Sequence, residues 1–251
     1  MSGHSKWSTI KRKKAAEDAK RGKIFTKLAR EIAVAARKRG GDPEINFALR
    51  LAIDRAKDAN MPKENIERAI RRGTGEDKDA AAIEEVYYEG YAPHGIALMI
   101  ECATENRNRT VSDLRHVLNS YGGSLGENGS VAWQFTQSAY FAFPAEGHDE
   151  DDIFELAIMA GADDVNFDDE TITIIGEIDY FKEINDALED ADIKTDDAGL
   201  RMIPDREIDL DVDKTVKVMR VIEELEDLDD VQRVYTNLSI SDEAMAQFEE
   251  A

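Results

Sequence analysis

Apolar residues recur with a helical period from residue 15 to 39, where Phe25, Leu28, Ile32 and Ala36 mark one face at 3-4-4 spacing. On the opposite side Lys20, Lys23, Lys27, Arg30 and Arg37 keep the same rhythm, interrupted only by Val34. Such a helix has a core side and a cationic rail. Gly40 and Gly41 stop it. Asp42 followed by Pro43 has the form of a helix start, and Phe47, Ala48, Leu51, Ala52 and Ala56 carry a second helix to about residue 59. Met61 and Pro62 open a third, with Ile66, Ala69 and Ile70 facing inward and Gly73 ending it. Residues 15–73 therefore predict a small helical domain, preceded by an arm, MSGHSKWSTIKRKK, without helical periodicity. The stretch 73–82 has few large apolar residues and reads as a linker.

From Ile83 the period changes. Strands are predicted at 83–89 and 95–103, then a helix at 108–121 on Val111, Leu114, Leu118 and Tyr121, stopped by Gly122. The loop GGSLGENGS leads to a strand at 131–135. Residues 138–204 read as strand (140–143), helix (149–160), strand (165–167), strand (171–175), helix (179–188) and strand (199–203). That order, β-α-β-β-α-β, is the split βαβ of ferredoxin-like domains. Residues 205–240 add a strand, a helix at 213–228 and a strand at 231–235. Two α+β modules follow a helical one.

Length and composition sharpen this picture. At roughly 150 residues per domain, 251 residues make one to three domains, each able to bury a core. Charged residues are 34% of the chain and the mean hydropathy is −0.51. No apolar stretch approaches the ~18 residues of a spanning helix, and no apolar segment follows the N-terminal lysines as in a secretory signal. One cysteine, Cys102, excludes an internal disulfide framework and a multi-cysteine zinc site, so a reducing cytoplasm is the expected location. The net charge of −22 conceals a division. Residues 1–75 hold 20 Lys and Arg against 9 Asp and Glu, or +11, and residues 76–251 hold 12 against 45, or −33. A basic module on an acidic body points to a polyanionic partner, nucleic acid first.

Catalytic chemistry is thin. Cys102 lies in an apolar strand with no Cys–His spacing around it, and His4, His94, His116 and His148 are isolated. The glycine-rich loop at 122–129 lacks the Lys-Ser/Thr of a phosphate loop, and the acidic run at 149–152 lacks the alternating spacing of a calcium loop. No enzyme, cofactor or metal is expected. Binding is better supported. Lys11, Arg12, Lys13 and Lys14 stand near Trp7, whose ring can stack on a base, with Lys6 and His4 beside it. The helical rail extends that path for a phosphate backbone. Arg68, Arg71 and Arg72 on the third helix offer a recognition helix, although basic surface helices are ordinary and no base-reading set is evident. Shape and charge are favoured over sequence readout. Arg107, Arg109 and Arg115 are the only Lys or Arg between Asp79 and Phe181. Two of them flank a predicted helix start, where cations oppose the helix dipole. They fit either a phosphate site at that N-terminus or local pairing with Glu101 or Glu105.

The motifs GHSKW, KAAEDAKRGKIFTKLAREI, GGDPEIN, NMPKENIERAIRRG, YEGYAPHG, ECATENRNRTVSDLRH, GGSLGENGSVAWQF and LEDLDDVQRVYTN resemble the YebC/PmpR family over almost the whole chain. The sequence IKRKKAAEDAK stands where many relatives carry IKHRKAAQDAK, with the positive charge kept. The resemblance implies an α+β multidomain fold: a helical domain (1–75) followed by two ferredoxin-like α+β domains, the third (137–204) inserted into the middle one (76–136 plus 205–245). Family members are generally labelled DNA-binding transcriptional regulators. Mitochondrial relatives look like translational activators, and bacterial ones are linked to ribosomes stalled at proline-rich stretches. The expected function is a cytoplasmic, non-catalytic, nucleic-acid-binding regulator of transcription. The alternatives are a translation factor on ribosomal RNA and an acidic adaptor for basic proteins. No membrane partner is expected, and the basic arm is expected to be able to contact the acidic body. Expected nucleic-acid contacts are His4, Lys6, Trp7, Lys11, Arg12, Lys13, Lys14, Lys20, Arg21, Lys23, Lys27, Arg30, Arg37, Arg107, Arg109 and Arg115.

Overall fold

The computed structural model describes residues 21–77, 80–168 and 170–250. The arm and the first turns of the predicted first helix lie outside them. Three helices come first: α1 (Arg21–Arg39), α2 (Phe47–Asp58) and α3 (Lys63–Thr74). Ile32 and Ala36 of α1 meet Leu49, Ala52, Ile66 and Ala69 in one core, and Phe25 and Leu28 pack at its edge. Two expected boundaries move. Gly73 does not end α3 but lies inside it, where α1 approaches so closely that a Cβ would stand 2.3 Å from the Ala33 carbonyl oxygen. The helix ends instead at Gly75, in the left-handed region at φ +79°. Asp42 and Pro43 open a turn rather than α2. The buried Asn46 caps that helix: its oxygen accepts the Leu49 N–H (3.1 Å), and its amide donates to the carbonyls of Ala35 (2.9 Å) and Gly40 (2.7 Å).

The chain then forms β1 (Glu84–Tyr91), β2 (Ala97–Thr104), α4 (Arg107–Ser120) and β3 (Ser124–Leu125). Next come β4 (Phe135–Pro144), α5 (Glu150–Met159), β5 (Ala162–Phe167), β6 (Thr171–Gly176), α6 (Phe181–Asp190) and β7 (Asp197–Pro204). Last are α7 (Val212–Glu226), β8 (Val231–Thr236) and α8 (Asp242–Glu249). The first sheet has the order β3-β1-β2-β8 and the second β5-β6-β4-β7, and every named strand pair is antiparallel. The fold is α+β, and the second sheet follows the split βαβ path. Strands expected at 131–135 and 140–143 are replaced by a single turn at Ala132–Gln134 and one ten-residue strand, β4. β4 stays continuous because it pairs with β7 along its first part and with β6 along its second. The helix α8, not expected from the pattern, starts at Ser241, whose side chain accepts the Ala244 N–H, and buries Ala244 and Phe248 against the core of the first sheet.

The alternation of β2 decides what each face meets. Leu98, Ile100 and Cys102 pack with Leu114 and Leu118 of α4 and with Val218 and Ile222 of α7. Met99 and Ala103 face the other way, where Met99 packs with Phe135 and Tyr235, and Ala103 with Ala33 and Val34 of α1. Glu101 shares that face, opposite Arg233 in register, and accepts the Tyr235 O–H at 2.6 Å. The helical unit touches the second sheet's unit as well: the Phe47 and Phe181 rings meet edge-on at 5.3 Å.

All three units meet at Asp197. Its carboxylate is paired with Arg201 of its own strand, with Arg233 of β8 at 3.5 Å, and with Arg55 of α2 at 3.7 Å. Arg55 in turn pairs with Glu31 of α1 and donates to the Ala198 carbonyl. Burial alone would raise the Asp197 carboxyl, but Arg201, Arg233 and Arg55 outweigh it and hold it well below the usual carboxylate range. Removing one partner of a fully buried ionic cluster costs about 3–5 kcal/mol, and the lower end applies here because the Asp197 side chain stays 19% exposed. Asp197→Asn keeps the volume and removes the charge, so urea unfolding at pH 7 should show a loss of about 3 kcal/mol. The folded-state value lies below the unfolded one, so this contribution is complete above about pH 4 and disappears as pH falls through the folded value. The variant should therefore lose less stability than the parent on acidification below about pH 4, and parallel acid limbs would contradict the assignment.

Candidate nucleic-acid interface

The polar side of α1 is partly covered by the body, most closely at Lys27 and Arg30, while Lys23, Arg37 and Lys38 stay exposed. It lies along the turn between α7 and β8. There the last carbonyls of a helix are unpaired by the helix itself and carry its negative dipole end, with acidic side chains added. Lys23 reaches the Asp227 carboxylate and carbonyl, each at 3.4 Å, and Lys27 donates to the Glu226 carbonyl. Arg30 pairs with Asp230 at 2.7 Å and donates to the Asp229 carbonyl. Arg37 donates to the Ile83 carbonyl at 3.3 Å, and Lys38 pairs with Glu85 at 2.6 Å. The Lys23–Asp227 pair is exposed and adds little. Arg30–Asp230 is the anchor, with side chains only 14% and 6% exposed. Burial would raise the Asp230 carboxyl, yet hydrogen bonds from Thr110 and Arg109 and the charge of Arg30 leave it lowered.

Lys23, Lys27, Arg30 and Arg37, expected on a phosphate path, are thus engaged with the acidic body. Among the described residues the basic module contacts the body through this helix. His4, Lys6, Trp7, Lys11, Arg12, Lys13, Lys14 and Lys20, with the side chain of Arg21, lie outside the described residues.

Arg107 and Arg109 both fall in the first turn of α4, capped by Asn106, whose side chain accepts the Arg109 N–H at 3.1 Å. Arg107 donates to Glu84 at 2.7 and 3.0 Å, and Arg109 to Asp230 at 2.8 Å. Ion pairing accounts for both, with the expected Glu105 near Arg109 but with Glu84 and Asp230 as the closer partners. Glu105 stands 3.9 Å from Arg109 but binds Arg72 more closely, and Glu101 is turned to Tyr235. Arg115 is exposed. On α3, Arg72 is held by Glu105 and the Ala81 carbonyl, which leaves Arg68 and Arg71 exposed. Arg39 and Arg50 are exposed too, the latter over the Phe47 ring. Among the described residues none of Arg39, Arg50, Arg68 and Arg71 has a carboxylate within ion-pair distance. Arg39 and Arg50 lie off the helical rail, so spacing did not single them out.

The glycine-rich loop before β4 connects elements, as its composition suggests, but one buried side chain fixes it. Glu89 of β1 accepts the N–H groups of Gly129 (2.6 Å), Val131 (2.7 Å) and Ala132 (2.8 Å). Burial would raise its carboxyl, and the three N–H donors lower it instead. The loop presents Trp133, 73% exposed, with its indole N–H on the Ser130 carbonyl. Cys102 is buried, and burial pushes its thiol up, away from a reactive thiolate. Among the described residues no three His, Cys, Asp or Glu are grouped to hold a metal ion, and no helix is long and apolar enough to cross a membrane.

Comparison with known proteins places this arrangement. Residues 5–76 match the family model of the TACO1/YebC protein N-terminal domain, and residues 83–238 that of the TACO1/YebC second and third domain. A Chlorobaculum parvum protein named "Probable transcriptional regulatory protein" is 50% identical over 251 residues, covering 100% of both chains. One of the same name from Rubrobacter xylanophilus is 50% identical over 247 residues, covering 98% of this chain and 99% of its own. The crystal structure of a conserved hypothetical protein from Aquifex aeolicus superposes with a TM-score of 0.83 at 43% identity, covering 90% of this chain and 93% of that one.

The ion pairs around α4 separate two roles. Arg109→Ala leaves Asp230 short of one charged donor, a loss of about 1.5–3 kcal/mol for such a bond when buried and less here, where the arginine is partly exposed. A drop of several degrees in Tm is expected by calorimetry, at roughly 2–4 °C per kcal/mol for a chain of this size. Arg115→Ala should leave Tm unchanged. Equal Tm for both variants would contradict the assigned pairing.

Proposed function

The chain belongs to the TACO1/YebC family, and we propose that it is a cytoplasmic, non-catalytic regulator of gene expression that binds nucleic acid and acts on transcription. The reading rests on the change of charge along the chain, from +11 over residues 1–75 to −33 over the remainder. It is supported by the name that its relatives carry, "Probable transcriptional regulatory protein". The contact set consists of the arm, with Lys11, Arg12, Lys13 and Lys14 on phosphates and Trp7 stacked on a base, continued by the exposed Arg39, Arg50, Arg68 and Arg71. Recognition is by shape and phosphate charge, because no described helix offers a convergent base-reading set.

Shape recognition also suits an RNA helix, which keeps the translation-factor reading as the rival. Fluorescence anisotropy of the full chain on mixed-sequence duplex DNA and on a ribosomal RNA helix, between 50 and 300 mM salt, tests the charge argument. With about six phosphates neutralised, log K on duplex DNA should fall with log[salt] at a slope of about −5. Replacing Lys11, Arg12, Lys13 and Lys14 by Gln should flatten that slope by about 3.5. A salt-independent affinity would refute the reading. Crosslinking in cells, with DNA and RNA both sequenced, then decides between targets. Enrichment at promoters supports the transcriptional role, and enrichment on ribosomal RNA replaces it with the translational one.

A further inference from the structure

The helical face of the second sheet's unit has no task in nucleic-acid binding. Residues 137–204 carry 20 Asp and Glu against 3 Lys and Arg, a net −17, so this unit repels a polyanion. All three cations are engaged: Lys182 with Asp186, Lys194 with Asp58 and Arg201 with Asp197. The same unit exposes apolar surface. Of the ten large apolar side chains exposed among the described residues, six lie here: Phe154, Ile158 and Met159 on α5, Ile178 and Tyr180 just before α6, and Leu200 on β7. Met159 is 82% exposed. Phe154 and Ile158, four residues apart, form one ridge of α5, and Glu155 and Met159 form the next. Inward, α5 and α6 are fully occupied, with Ile153, Ala157, Ile184 and Leu188 packed on Phe141 and Phe143. The outward residues are therefore not spare core. Between the helices runs a groove of about 490 Å³ with Leu156, Met159, Ala160 and Ala187 as its apolar lining and Asp152, Glu155 and Glu183 as its acidic rim.

We propose that this groove docks a basic amphipathic helix of a partner protein. An apolar floor between carboxylates matches a helix with Leu- or Ile-like anchors at i, i+3, i+4 and i+7 and with Lys or Arg flanking them. The floor supplies affinity by burial, and the rim selects positive charge and speeds encounter. The acidic unit is then the protein-binding end of a molecule whose basic arm is the nucleic-acid end.

A fluorescein-labelled 18-residue peptide with Leu at helical spacing and Lys elsewhere is the probe, titrated into the full chain at 150 mM salt and read by anisotropy. Saturable binding is expected, at least tenfold tighter than to a scrambled peptide of identical composition, and none is expected to the same peptide with Glu for Lys. Ala187→Phe, which fills the groove, and the double variant Glu155→Lys with Glu183→Lys, which reverses its rim, should each weaken binding at least tenfold. Circular dichroism checks their fold, and the exposed rim variant serves if Ala187→Phe misfolds. Nucleic-acid affinity should be unchanged in both, so failure here is distinguishable from failure of the arm. Equal binding of the scrambled peptide, or full binding by the rim variant, overturns the proposal. Self-association of the chain that the same variants abolish would assign the groove to a second copy and overturn it as well.

Discussion

Asp197 carries one negative charge and is approached by an arginine from each of three structural units: Arg55 from the helices, Arg201 from its own sheet and Arg233 from the other. A carboxylate so largely withdrawn from water stays ionised because such partners surround it, and it in turn compensates the arginines. The three units therefore share one requirement for charge balance, alongside the contact of Phe47 with Phe181, Arg30 on Asp230 and the apolar contacts between units. Apolar packing builds each unit and also joins them, through Met99 with Phe135 and Ala103 with Ala33 and Val34. The charges add a requirement that only one arrangement of the units meets.

That constraint changes the meaning of the basic module. Lys23, Lys27, Arg30, Arg37, Lys38, Arg55 and Arg72 all engage groups of the acidic body. An excess of cations over residues 1–75 is partly a docking charge, matched to a helix end and to carboxylates that gather around residues 226–230. Among the described residues of this module, Arg39, Arg50, Arg68 and Arg71 stay exposed and without a carboxylate at ion-pair distance.

Much of the fold was legible because it is local. The 3-4-4 face of α1, the apolar strand β2 and the β-α-β-β-α-β order each occupy a continuous stretch, and all three appear in the structure. The misreadings concern partners distant in sequence. Gly73 looks like a helix end until Ala33, forty residues earlier, is seen pressed against it. Asp42 with Pro43 looks like a helix start because the buried Asn46, held by Ala35 and Gly40, gives no sign of its burial in the sequence. The rail of α1 was read correctly as a cationic stripe, but its counter-charges stand about two hundred residues away, beyond the reach of any spacing rule. Asp197 itself is one of twenty acidic residues in its unit. Nothing along the chain distinguishes it from Asp196.

Amide hydrogen exchange with and without bound nucleic acid tests this division of labour most directly. If the rail of α1 belongs to the body and the arm to the ligand, binding should add protection within residues 1–20 and leave α1 and residues 226–231 as protected as before. Loss of protection at 226–231, with α1 released from the body to follow the phosphates, would contradict it.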